Sequence, residues 1–272
     1  MSEAAELRVL PVAGLPEFTE GMRVGEEIAK SAELRDGDVV VVAQKIVSKT
    51  EGRVRRLSSV EASAEARRLA AALDKEPELV ELVLQESREV LRAERGVLIV
   101  ETHHGFVCAN AGVDTSNLPE PGTACLLPED PDASARKLRA EITAATAGGP
   151  GVGLAGHSTS GESHPRAPHS IGVVIADSFG RAWRLGQAEV AIGCAGLAPL
   201  DDWRGRGDAE GRKLEATLIA VADEAAAAAD LVRDKTSRVP ATIVRGLGRF
   251  VTPEDGPGAA ALRRPRGEDL FR

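Results

Sequence analysis

Apolar and polar positions divide the chain into short segments of changing period. In "DGDVVVVAQKIVS" (36–48) a turn precedes four consecutive valines, the mark of a strand covered on both faces. "ELRVLPVAGL" (6–15) reads as a strand running into a turn at Gly14 and Pro16, and "MRVGEEIAKSAEL" (22–34) carries apolar residues at helical spacing. Ser58 and Glu61 have capping-box spacing ahead of an Ala/Leu-rich helix near 59–73. Pro77 suits the first turn of a second helix, to about Leu91. "GVLIVET" and "GFVCAN" flank "HHG" and read as a hairpin. Asp130 and Pro131 open a helix to about Ala145. A strand at 171–176, a long Ala-rich helix at 214–232 and a last strand at 240–247 complete the pattern. Helices and strands alternate irregularly around at least one hairpin. This predicts an α+β fold of mixed sheets with flanking helices, rather than a regular doubly wound sheet.

Length then sets the scale. The 272 residues suffice for one domain over 1–272 with a sizeable core, with room for two α+β subdomains. Between the helix and strand on either side, a loop rich in Gly, Pro, Ser and His at about 147–170 reads as a flexible insertion. Aromatics are only 3% of the chain and Tyr is absent, so the core must be built from Val, Leu, Ile and Ala. The net charge of −8 argues against a broad nucleic-acid surface. An anionic ligand must therefore be met locally, by particular arginines, backbone N–H groups or metal ions.

Cys108, Cys125 and Cys194 share no metal-ligand spacing and read as small buried hydrophobes in a reducing, cytoplasmic setting. The N-terminal "MSEAAELRVL" has acids where a signal peptide has bases, and no apolar run approaches the roughly 20 residues of a membrane helix. "GVGLAG" (151–156) matches the dinucleotide fingerprint G-x-G-x-x-G, but a helix precedes it and a polar loop follows, so it reads as loop. A P-loop motif is absent. His103 and His104 are adjacent at the hairpin tip, where neighbouring side chains point to opposite faces. His157, His164 and His169 lie in the polar loop and read as solvated.

Three stretches carry chemistry. In "AGVDTSNLPEPG" (111–122), Asp114 and Asn117 sit in an oxygen-rich loop after a strand, suited either to a hard cation or to an Asx-type turn. In "VIADSFGRAWRLGQ" (174–187), an apolar strand stops at Asp177–Ser178 and is followed by Arg181 and Arg184. Two loop aspartates can hold one Mg²⁺ or Mn²⁺ with nucleotide phosphates completing the octahedron, and the arginines can meet further negative charge. In "QKIVSKTEGR" (44–53), Lys45 and Lys49 fall on one face of an extended backbone, either as a solvated edge or as phosphate-neutralising groups.

These stretches, together with "LPVAGLPEF", "LLPEDPDASARKLR", "VADEAAAAADLV" and "VRGLGRF", resemble the coenzyme F420-0:L-glutamate ligases, in the same order along most of the chain. The resemblance implies a GTP-dependent amide ligase that uses Mg²⁺ or Mn²⁺ and a monovalent cation such as K⁺. The free carboxylate of F420-0 would be phosphorylated by GTP, and the amine of L-glutamate would displace phosphate from the acyl phosphate. Phosphoryl transfer rests on positioning and charge neutralisation more than on a protein nucleophile, which suits these residues.

Carried over by position, the resemblance makes Leu15, Pro16, Glu17 and Phe18 GTP contacts, with Lys49, Gln44 and Asn117. It makes Asp114 and Asp177 ligands of a first metal and Ser178 a ligand of a second. Lys49 and Asp177 are the residues it ties to catalysis, and Arg181 and Arg184 fall to the anionic substrate. Gln44 stands where Ser or Thr is expected, and "VRDKTSRVP" (232–240) lacks the Gly and the acid or amide typical of many members; Lys235 cannot ligate a cation while protonated. The chain stops near where some bacterial relatives begin a flavin-binding domain, which reads as a stand-alone ligase domain. A homodimer follows by analogy, and the charge and the lack of a long apolar run predict no nucleic-acid or membrane partner. Two rivals stay open: a ligase of the same mechanism acting on a different carboxylate, and a nucleotide-binding regulator without turnover.

Overall fold

The structure, a computed structural model, describes residues 6–147, 170–233 and 236–270. The insertion expected at about 147–170, with its three histidines, and Lys235 of the expected second metal site lie outside the described residues.

In chain order the first half contains β1 (Arg8–Pro11), α1 (Val24–Ser31), β2 (Val39–Ala43), α2 (Gln44–Thr50), β3 (Val54–Arg56), α3 (Ala64–Leu73), α4 (Pro77–Gln85), β4 (Ser87–Glu94), β5 (Val97–Thr102), β6 (Val107–Ala109) and β7 (Thr123–Cys125). The second half contains α5 (Pro131–Ala147), β8 (Gly172–Arg181), β9 (Arg184–Ala195), β10 (Asp201–Asp202), β11 (Leu218–Ile219), α6 (Val221–Asp230) and β12 (Ala241–Arg245). The fold is α+β, as the irregular alternation predicts.

A five-stranded sheet of order β1-β12-β2-β8-β9 forms its centre. Only β2 and β8 run parallel within it, from Val39↔Gly172 to Ala43↔Ala176. The four valines are buried on both faces, as their unbroken run requires. Val40 and Val42 pack with Ile28 of α1 and Leu138 and Ile142 of α5. Val39 and Val41 pack with the Ala222, Ala225, Ala226 and Ala229 stripe of α6. Small alanines let that helix approach the sheet closely. A second apolar cluster joins α3 and α4 to β4 and β5, whose sheet β4-β5-β6 contains the hairpin expected around "HHG".

Several element boundaries differ from the sequence pattern, each for a local reason. The backbone does not stay extended after the valines: Gln44–Thr50 is a helix, and Lys45 and Lys49 share a face because they are four residues apart on it. Ser63, not Ser58, caps α3, accepting the Ala66 N–H, while its own N–H donates to Glu81 of α4. The capping-box carboxylate therefore comes from another helix. α4 ends at Gln85, and the residues expected to continue it form β4. Only ten residues of the Ala-rich segment form a helix. β8 does not stop at Asp177; it runs to Arg181 as a ribbon with β9, past the end of β2.

Candidate active site

β2 and β8 end their parallel pairing at Ala43 and Ala176. The next residues are the start of α2 on one side and Asp177 on the other, so two chemically loaded segments leave the sheet at one edge. Carboxyl ends of parallel strands are where ligands dock in such sheets. By alternation Asp177 lies on the α1/α5 face with Ile175 and Phe179, and Ser178 on the α6 face with Val174 and Ala176.

On the first face, Lys45 Nζ donates to Asp114 Oδ2 at 2.7 Å, to the Ser116 carbonyl at 2.7 Å and to Ser116 Oγ at 3.3 Å. The Ser116 N–H donates to Asp114 Oδ1 at 2.8 Å, and Ser116 Oγ to Asp114 Oδ2 at 2.8 Å. The Asx-type turn is thus present, and it is pinned to α2 by an ammonium. The backbone of Asp114 is fixed separately by two hydrogen bonds with Cys125 at the end of β7. Leading into it, Asn110, Ala111 and Gly112 have φ of 51°, 53° and 70°, three left-handed residues in a row. Such backbone persists only when its surroundings determine it. A Cβ at Gly112 would stand 2.7 Å from the Leu127 side chain, so glycine is required there.

Burial alone would push the Asp114 carboxyl upward. The hydrogen bond from Lys45, the Ser116 contacts and the Lys45 charge overcome this and hold it below the usual carboxylate range. Asp177 is the opposite case. Burial first, then the neighbouring Glu189 and Asp114 charges, push its carboxyl up to about 7, against the Ser178 N–H and Lys45. The Asp177 charge also adds to the burial that pushes the Cys108 thiol up to about 12, leaving that cysteine a neutral apolar wall.

On the opposite face Ser178 Oγ donates to Glu189 Oε1 at 2.5 Å, and Arg233 Nη2 lies 3.4 Å from Glu189 Oε2. Glu189 and Arg233 have no counterpart in the sequence reading. Glu189 betrays itself only as an acid inside an otherwise apolar strand, "AEVAIGCA", and Arg233 reaches it across more than forty residues.

The remaining expected residues divide into two kinds. Phe18 is buried in the core and Leu15 packs half-buried against it, leaving Pro16 and Glu17 exposed between them. Lys49, only 11% exposed, donates to Glu17 Oε1 at 2.6 Å. Gln44 is buried, and its Oε1 accepts the Ser48 hydroxyl at 2.8 Å. Asn117 is exposed, with a left-handed φ of 53°. Arg181 is folded back onto its own hairpin, donating to the Leu185 carbonyl at 2.7 Å, while Arg184 is exposed on the neighbouring strand.

Two carboxylates near one edge, with the Asp114 charge adding to the cost of ionising Asp177, are a donor set suited to a hard cation. Asp114 and Asp177 fit a divalent ion on one face, and Ser178 with Glu189 fit oxygen ligation on the other. Among the described residues no group of three or more acidic, His or Cys side chains is gathered to enclose a metal. Further ligands would have to come from substrate phosphates or water.

A protein-family model described as F420-0:Gamma-glutamyl ligase matches residues 14–154 and 164–246. The chain is 42% identical over 241 residues to a Coenzyme F420:L-glutamate ligase of Methanothermobacter thermautotrophicus, covering 88% of this chain and 86% of the relative. It is 40% identical over 268 residues to the protein of that name from Methanopyrus kandleri, covering 98% of each. It is 35% identical over 271 residues to that of Methanocaldococcus jannaschii, again covering 98% of each.

Proposed function

The chain belongs to the F420-0:gamma-glutamyl ligase family, and from that premise we propose that it uses GTP to join L-glutamate to the carboxylate of coenzyme F420-0. Ligases of this family form an amide bond, and the protein is such an enzyme. The observation that supports the fuller reading is one juxtaposition. Lys45 and Lys49 on a single face of α2, and Asp114 and Asp177 beside them, meet at the end of the parallel strands.

In the proposed reaction the γ-phosphoryl group moves from GTP to a carboxylate oxygen of the acceptor, giving GDP and an acyl phosphate. The glutamate amine nitrogen then attacks the acyl carbon. A C–N bond forms, the C–O bond to phosphate breaks, and phosphate and one proton leave. In this reading the Lys49 ammonium, paired in the structure with Glu17, would turn to neutralise phosphate charge. Backbone of the Leu15–Phe18 loop, anchored by the two apolar side chains, and Asn117 complete the nucleotide contacts. Asp114 and Asp177 would hold a first divalent cation and Ser178, beside Glu189, a second; Mg²⁺ or Mn²⁺ there would screen the phosphate charges. A requirement for K⁺ belongs to the same proposal. Arg184, and Arg181 once released from its hairpin, serve the anionic acceptor. Trp183 and Leu185, 80% and 97% exposed at that hairpin, give the proposed homodimer an apolar surface to bury.

Mass spectrometry of a reaction with F420-0, GTP, Mn²⁺ and L-glutamate tests the reading. The expected product carries added glutamyl units, with GDP and phosphate released in equal amounts. Product from another carboxylate alone would reassign the acceptor. Nucleotide binding without any acceptor-dependent GDP release would make the chain a regulator instead.

A further inference from the structure

Lys45, which the sequence offers beside Lys49 as a phosphate-neutralising group, is spent in the structure on oxygens of the Asp114 loop. Its ammonium has three donors, and all three find oxygen: Asp114 Oδ2, the Ser116 carbonyl and Ser116 Oγ. A carboxylate, a carbonyl and a hydroxyl arranged about one positive charge are the ligand types of a hard cation. The Lys45 side chain is only 18% exposed, while that of Asp114 is 43% exposed, so the ammonium is withdrawn from solvent and the carboxylate stays open to it. Lys45 stands on the second residue of α2, and Asp114 is fixed by its backbone to β7, so neither can drift far from the other.

We propose that Lys45 is a built-in counter-ion that occupies the cation position on Asp114, so that a divalent ion binds there by exchange with the Lys45 ammonium. This rests on the reading of Asp114 as a metal ligand. Without its ammonium, the Asp114–Asp177 edge would keep the Ser116 and Ser178 hydrogen bonds but lose the positive charge that offsets its carboxylates. With it, the Asp114 loop is preformed before substrate arrives, and a cation must displace a hydrogen-bonded ion pair. The displaced Lys45, one helical turn from Lys49, then becomes available to phosphate.

Two measurements on the full chain test this. The first is Mn²⁺ affinity, read from the electron paramagnetic resonance of free Mn²⁺ without nucleotide, for the parent, Asp114→Asn, Lys45→Met and Lys45→Gln. Exchange predicts that Asp114→Asn weakens Mn²⁺, and that both Lys45 variants bind it about fivefold or more tightly than the parent, because a competing charge at contact distance is gone. If Asp114→Asn leaves Mn²⁺ affinity unchanged, the metal reading of Asp114 fails and the exchange with it. If Asp114→Asn weakens Mn²⁺ but neither Lys45 variant tightens it, only the exchange fails. The second measurement needs no variant. Acetic anhydride labelling of the parent, read by peptide mass spectrometry, should modify Lys45 several-fold faster with saturating Mg²⁺ than without, while exposed Lys137 is unaffected. Equal labelling of Lys45 in both conditions would overturn the proposal.

Discussion

Asp223, in the first turn of α6, accepts the Ala191 N–H of β9 through Oδ1 at 2.9 Å. Ala191 lies at a bulge: Ile175 pairs with Gly193 and Ala176 with Ala191, leaving Ile192 extra in β9. The bulge changes parity along the strand. Ala191 and Cys194 face the α6 cluster although three residues apart, and Ile192 and Ala195 face the other. Glu189 is thereby delivered to the same face as Ser178, at 2.5 Å. Asp223→Ala leaves the Ala191 N–H without its carboxylate and should lower stability by about 1–3 kcal/mol in urea denaturation. Turnover should fall with it, as Glu189 loses its register. Asp223→Asn keeps an acceptor oxygen and should stay near the parent in both measurements. An Asp223→Ala protein as stable as the parent would show that the bulge does not depend on this contact.

Lys49 offers a direct test of the proposed phosphate contact because its ion pair in the structure is weak. Glu17 is 67% exposed, so the pair adds little to stability. Lys49→Met keeps most of the buried stem and should leave the melting temperature almost unchanged. GTP affinity should drop by about 1.5–3 kcal/mol, the scale of one charge-assisted hydrogen bond. Calorimetry that finds the parent's affinity in Lys49→Met would make Lys49 a surface residue.

Asp177 is expected to trade stability for function. Burial, and after it the charges of Glu189 and Asp114, disfavour its ionised form in the fold. Asp177→Asn keeps the volume and removes the charge. The variant should melt at or above the parent's temperature without metal, yet form no product and bind GTP no better in Mn²⁺ than in EDTA. Parent-level turnover by Asp177→Asn would remove Asp177 from the mechanism.

Local pattern carried much of this fold. The valine run declares a doubly covered strand, and Asp114 and Asp177 stand out as acids in oxygen-rich stretches, although Asp177 lies within β8 rather than at its end. Where pattern misled, long-range pairing decided. "AQKIVS" has no Gly or Pro to mark the passage from strand to helix, and its β-branched residues fit either state, so the local pattern does not show where β2 ends and α2 begins. Ser58 has better capping-box spacing than Ser63, but Glu81 arrives from α4 to serve Ser63. Lys45 looked equivalent to Lys49, and the Asp114 loop that distinguishes them is 69 residues away. Glu189 and Arg233 are brought to Ser178 by the bulge and by α6, which no single stretch of sequence encodes.

The hairpin tip carries a pH-sensitive contact apart from the site. His104 Nε2 lies 2.8 Å from the Pro128 carbonyl, so that nitrogen bears the proton of the neutral ring. Its Nδ1 is buried without a hydrogen-bond partner, and the ring stacks on Phe106 with centroids 5.5 Å apart. A second proton would place charge on that buried nitrogen. Burial accordingly lowers the His104 pKa, outweighing the contribution of the Pro128 carbonyl. The unfolded chain therefore takes up the proton first as pH falls. Stability from the neutral ring is fully present above about 6.5, the ordinary histidine value, and is lost as pH drops from there toward the lowered folded value. His104→Phe keeps an aromatic ring on Phe106 and cannot titrate. It should cost about 1 kcal/mol at pH 7.5 through the lost hydrogen bond. Between pH 7.5 and 5 its melting temperature should fall less steeply than the parent's. Parallel melting curves for the parent and His104→Phe across that range would show that His104 is not the group whose protonation loosens the hairpin.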